Sequence, residues 1–338
     1  MKRHKFALIS PFLSLALFQS AFAGSLQNGD GATCQKDICE YRLPKIRSVP
    51  GTIVPGPDGA MWFSENGGNR IGRITQQGKI TEFDIPIANG NPFAITFGPD
   101  GALWFTHSAG KIGRMTIQGD FTNVFTVPPP IVPGIPFVPS IPTSLTFGPD
   151  GAIWFVDNGP NRVTRMTVDG TFTQFPVPTP YASPHDIVTG PDSAMWFTEF
   201  LGGKIGRVTL DGTFTEFEVP TQFPVLGILT AGPDGALWFA EGIGNKIGRV
   251  TTDGQMTEFP LPSSPGTPAS IAFGPDGALW LVEYFGNKVG RMTTAGEFQE
   301  WDIPTRHAYP QGMAFAPNGS LWFTEKANKI GAMPHPIK

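Results

Sequence analysis

Gly232-Pro-Asp-Gly-Ala-Leu-Trp-Phe239 decides the fold, because it is one of seven copies of a single sentence. The others begin at Gly56 (GPDGAMWF), Gly98 (GPDGALWF), Gly148 (GPDGAIWF), Gly190 (GPDSAMWF), Gly274 (GPDGALWL) and Ala316 (APNGSLWF). The spacings are 42, 50, 42, 42, 42 and 42 residues. Between copies lie short apolar runs bounded by Gly, Pro, Asn and Asp, which read as strands and tight turns. A period near 42 with four short strands per unit is the signature of a propeller blade. The expected fold is an all-β, seven-bladed β-propeller.

The unit beginning near Pro184 places the strands. Strand A is expected at His185 to Thr189. Gly190-Pro191-Asp192-Ser193 makes a tight turn, with Pro presetting the first central φ and Asp suiting the second. Strand B is expected at Ala194 to Glu199, strand C at Lys204 to Thr209 after a Gly-rich loop, and strand D at Thr213 to Val219 after an Asp211-Gly212 turn. One Trp per unit (Trp62, Trp104, Trp154, Trp196, Trp238, Trp280, Trp322) predicts packing between blades and not a ligand site. The seventh unit ends at Lys329-Ile-Gly-Ala-Met333 without a strand D. A D-like segment, Ile38-Cys-Glu-Tyr-Arg-Leu-Pro44, lies before the first unit and resembles Ile80-Thr-Glu-Phe-Asp-Ile-Pro86. The N-terminus is therefore expected to supply the outer strand of the last blade, which leaves no exposed broken edge.

The first residues read differently. Lys2, Arg3 and Lys5 precede an apolar stretch from Phe6 to Phe22, and Ala21-Phe22-Ala23 is a small-x-small site. This is the pattern of a cleaved secretory signal over residues 1–23, with one propeller domain over 24–338. The stretch is short for a membrane span, and none is expected elsewhere. Loss of the signal takes the formal charge from −4 to −7, and no basic patch remains, so nucleic acid and anionic membrane surfaces are poor partners and neither is expected. A periplasmic or secreted monomer is expected. Cys34 and Cys39, the only cysteines, are expected to form a disulfide in that setting. A metal or redox pair would need further soft ligands that the sequence does not supply.

Hairpin topology brings the start of A and the end of B to one rim of each blade. The start-of-A series is Gly51, Phe93, Thr143, His185, Gly227, Ala269 and Gln311. The end-of-B series is Glu65, His107, Asp157, Glu199, Glu241, Glu283 and Glu325. Both are expected to line one mouth of the channel. A ring of acids there could hold a hard cation such as Mg²⁺ or supply a base. Alternatively each acid pairs within its own blade. His185 stands beside that ring; His307 lies in the loop entering the last blade with Tyr309, Gln311 and Glu325. The Pro-rich insertion Pro128 to Pro139 emerges at the same mouth, and an apolar flap over a polar mouth suits an amphipathic small-molecule or peptide ligand. His335 on the C-terminal tail is assigned no role.

The blade unit Gly232 to Glu241, then Gly244-Asn-Lys-Ile-Gly-Arg-Val-Thr251, then Asp253 to Pro262, resembles a virginiamycin B lyase blade, and the resemblance runs over about residues 38 to 333. It implies linearisation of a cyclic depsipeptide by breaking an ester C–O bond through elimination, with Mg²⁺ assistance. The family carries a His at the start of A in its last two blades; the matching residues here are Ala269 and Gln311. Its metal-binding Glu two residues before the second His corresponds to Tyr309, and its other Glu to Glu325. On this basis Glu325, His307, Gln311 and His185 are the catalytic candidates, Glu325 the metal ligand, and Glu199, Glu241 and Tyr309 the ligand contacts. Two other readings stand beside the lyase: a non-catalytic envelope propeller binding a peptide, glycan or protein, and a metal-dependent lactonase or esterase.

Overall fold

The computed structural model describes residues 31–88, 90–129, 138–334 and 336, and every regular element among them is a strand. The segment expected to be a signal, most of the Pro-rich insertion and His335 lie outside the described residues. Six four-stranded antiparallel sheets and one five-stranded sheet form the blades. Strand A of each blade packs on strand A of the next, and the last packs on the first, so the ring closes. In blade 4 the strands are Pro184–Thr189, Met195–Glu199, Lys204–Val208 and Phe214–Glu218, each within a residue of the expected bounds.

The Trp repeat packs between blades as predicted: Trp62 of blade 1 packs with Ile95, Leu103 and Phe105 of blade 2. All seven motif tryptophans are at most 1% exposed. Each stacks on the aromatic of strand D in its own blade, at 5.4–5.9 Å between ring centroids. Room for the strand-B Phe beside the Trp comes from strand C. A Cβ on Gly206 would fall 2.1 Å from the Phe197 ring, so Gly lies beneath it. The turn Asp does more than shape its turn. In blade 5, Asp234 Oδ1 accepts from Trp238 Nε1 at 3.2 Å and Oδ2 accepts from Arg249 Nε at 2.7 Å. The same triad recurs in blades 1 to 6. In blade 7, Asn318 and Ala332 replace the Asp and Arg, and Trp322 Nε1 donates to Ser320 Oγ instead.

Closure follows the expected route and adds a strand. β1 (Ala32–Gln35) and β2 (Ile38–Arg42) form a hairpin, and β2 pairs with blade 7 strand C, Lys329–Met333. Tyr41 stacks on Trp322 at 5.6 Å, supplying the seventh strand-D aromatic. Its ring also lies over Gly78 of blade 1, as Phe83 lies over Gly119 and Phe217 over Gly254. The N-terminal residues thus repeat the Trp stack, the contact with the next blade and the Glu–Lys pair that a covalently continuous strand D makes elsewhere. Cys34 and Cys39 sit opposite each other in the hairpin and are joined by a disulfide. No helix among the described residues is long and apolar enough to cross a membrane.

Candidate functional site

The axial channel opens into a cavity of about 630 Å³ lined by the A strands of all seven blades. Gly51, Phe93, Thr143, His185, Ala269 and Gln311 all reach it, as the start-of-A positions should. The end-of-B positions do not. Glu65, His107, Asp157, Glu199, Glu241, Glu283 and Glu325 are each 0% exposed and none lines the cavity. The placement of Glu199, Glu241 and Glu325 at the open mouth is therefore corrected. The cause is the radial packing of blades: only the inner edge strand meets the axis, while both faces of strand B are covered by neighbouring blades. The carboxyl is then roofed by its own B–C loop. A Cβ on Gly202 would lie 2.3 Å from Glu199 Oε2, and one on Gly286 2.2 Å from Glu283 Oε2.

The buried series divides in two. In blades 1 to 3 the end-of-B group is partnered: Glu65 pairs with Arg70 at 2.7 Å, His107 Nε2 bonds Asn69 Oδ1 at 3.0 Å, and Asp157 pairs with Arg162 at 2.7 Å. In blades 4 to 7 neither carboxyl oxygen has a hydrogen-bond partner. The nearby lysine turns to a strand-D glutamate instead: Lys204 to Glu216, Lys246 to Glu258, Lys288 to Glu300 and Lys329 to Glu40. Burial, with the second glutamate beside it, pushes Glu199 up to about 8. Burial and Glu40 push Glu325 to about 8 as well. Burial raises Glu283 to about 7 and lifts Glu241 in the same direction. A protonated acid avoids the cost of a bare buried charge.

Mg²⁺ takes about six oxygen ligands in near-octahedral geometry. Of the positions the family motif implies, Tyr309 and Gln311 offer no carboxylate or imidazole, and Glu325 is 0% exposed and does not line the cavity. No three His, Cys, Asp or Glu side chains converge as a metal site among the described residues. The residues present do not fit the ion.

His307 and Tyr309 lie on the outer rim. Both adopt positive φ, 55° and 49°, as do Tyr181 and Ser183, and Phe223 and Val225, at the equivalent places ahead of blades 4 and 5. The twist belongs to the repeated D–A loop, and its first residue projects outward. The His307 ring stacks on Tyr309 at 5.9 Å, and Tyr309 meets Tyr284 at 5.1 Å. Lys326 Nζ donates to Tyr284 Oη at 3.0 Å. The sequence reasoning missed Tyr284 and Phe285, whose signal was two consecutive aromatics in a loop where no other blade carries such a pair. It also missed Asp186, a lone acid at a strand-A position held elsewhere by Thr, Ala, Ser, Ile or Gly. Exposed Tyr181, Leu201, Phe223, Ile243 and Phe285 continue an apolar rim across the top loops of blades 4 to 6.

These features define a seven-bladed propeller with an axial cavity and an apolar rim on its B–C and D–A loop face. A profile of the Virginiamycin B lyase family matches residues 30–133 and 134–336. The virginiamycin B lyase from Staphylococcus aureus superposes with a TM-score of 0.81 at 37% identity, covering 87% of this chain and 98% of that one. A streptogramin B lyase structure matches with a TM-score of 0.81 at 35% identity, covering 87% and 96%. A catalytically inactive form of the Staphylococcus aureus enzyme with quinupristin gives 0.81, 37%, 87% and 98%. The chain belongs to the virginiamycin B lyase family.

Proposed function

We propose that this protein is an exported binding member of its family, which takes an amphipathic peptide or depsipeptide at the channel mouth without performing the family elimination. The observation that carries the reading is the pairing of an exposed apolar rim with a mouth that carries Ala269 and Gln311 in place of the two family histidines. Elimination needs a base within hydrogen-bond reach of the α-proton and an electrophile at the ester carbonyl. Ala269 has no proton-accepting group, and an amide such as Gln311 is not a base at neutral pH. Glu325 is 0% exposed and does not line the cavity. The rim, by contrast, is suited to binding. Phe223 and Phe285 are 77% and 59% exposed, more apolar surface than folding requires, and clustered exposed apolar groups mark interaction sites. The lactonase reading rested on the acid ring at the mouth, and that ring lies under the loops.

Quinupristin, measured by calorimetry, is the first ligand to try. Phe223→Ser with Phe285→Ser should weaken its binding about tenfold or more, with little change in melting temperature, because exposed substitutions rarely disturb the fold. Unchanged affinity in the double variant would remove the rim from the site.

A further inference from the structure

Among the residues lining the axial cavity there is no lysine or arginine, and His185 and Asp186 are the only titratable side chains. Asp186 is committed to structure. Its Oδ1 accepts from Ser144 Oγ of blade 3 at 2.6 Å, and its Oδ2 accepts from the Leu229 N–H of blade 5 at 2.8 Å. It ties three adjacent blades together. His185 is placed differently. Its carbonyl accepts from Thr143 Oγ1 at 3.2 Å, and its ring packs 5.4 Å from the ring of Phe200. Nδ1 is buried with no hydrogen-bond partner, while the residue lines the cavity, so we infer that Nε2 is the nitrogen presented to it.

That asymmetry sets the tautomer. A neutral imidazole carries one N–H and one lone pair. Orphaned buried N–H groups are rarer than under-satisfied acceptors, so the lone pair belongs on Nδ1 and the proton on Nε2. Burial also holds the imidazole below its ordinary pKa, against the smaller opposing pull of Asp186, so the ring is neutral at pH 7.

We propose that His185 is a ligand-binding residue whose Nε2–H donates a hydrogen bond to a carbonyl or ester oxygen of an uncharged group lowered into the channel. This deepens the binding reading above and rests on it for the position of the ligand. It differs from the role expected from the sequence, where His185 is a catalytic candidate. The subsite favours a neutral oxygen over a carboxylate or phosphate, because the wall holds no cation and a buried carboxyl lies next door.

The test is ¹⁵N NMR of the histidine-labelled full mature chain at pH 7. The free protein should show His185 as the Nε2–H tautomer; an Nδ1–H tautomer or an imidazolium would overturn the proposal before any ligand is added. Quinupristin should then shift the Nε2 resonance. His185→Phe should weaken quinupristin binding about three- to tenfold, the value of one neutral hydrogen bond, and His185→Gln, which keeps an N–H donor, should recover part of it. Binding of quinupristin with no Nε2 shift and no effect of His185→Phe would overturn the donor role and leave the binding reading standing. Ethyl acetate and N-methylacetamide, which need only the donor, separate the remaining cases. A shift at Nε2 with these but no binding of quinupristin upholds the donor and removes the binding reading. No shift with any of the three overturns the donor.

Discussion

At the scale of the residue, position in the repeat governs chemistry more than residue type does. Tyr41 occupies a place that strand D elsewhere fills with Phe or Trp, and its hydroxyl is buried without a partner. Tyr41→Phe should therefore stabilise the protein by about 1 kcal/mol, from the desolvation cost of an unmade hydrogen bond. Chemical denaturation reads this directly, and a loss of stability would show that the hydroxyl is satisfied. The roofed glutamates give a pH dependence. Glu199 and Glu325 hold values of about 8 in the fold against 4.5 for an ordinary glutamate. Between those values the unfolded chain has released protons that the folded chain still binds, so stability falls as pH rises across the window. The stabilisation is fully present below about pH 4.5 and lost above about pH 8. The melting temperature should be lower at pH 9 than at pH 6, and Glu325→Gln should flatten the difference. Equal melting temperatures in the wild type at pH 6 and 9 would mean that these carboxyls are ionised in the fold.

At the scale of the element, the ring is held shut by β2. Deleting residues 34–44 removes Tyr41 from Trp322, Glu40 from Lys329 and Thr305, and the outer strand from blade 7. Loss of one buried aromatic alone costs about 3–5 kcal/mol, so the truncated chain should melt far below the full mature form. A difference of a few degrees would contradict the closure. Two titratable thiols in native protein from an oxidising compartment would likewise contradict the Cys34–Cys39 bridge. The N-terminal strand was legible because Ile38 to Pro44 repeats the D pattern; β1 was not, because Ala32–Gln35 matches nothing in the repeat. Strand bounds followed from Gly, Pro and Asp punctuation. The direction of the end-of-B side chains did not. Strand Met195–Glu199 is buried at every position, so alternation carries no signal of which way Glu199 turns. The covering loop depends on glycines such as Gly202, whose contact with the carboxyl only the three-dimensional packing reveals.

At the scale of the whole molecule, seven near-identical blades provide one scaffold on which departures from the repeat stand out. His185, Asp186, Gln311 and the Tyr284, Phe285, His307 and Tyr309 cluster are such departures, and all lie at the channel or on the loop face around it. Fold alone does not fix activity, since propellers host many functions; the groups at the mouth do. The account holds that this mouth binds and does not cleave. Mass spectrometry of quinupristin incubated with the full mature protein and Mg²⁺, beside the Staphylococcus aureus lyase as a positive control, tests this most directly. The ring should remain intact with this protein while the control linearises it. Linearisation at a rate comparable to the control would contradict the account.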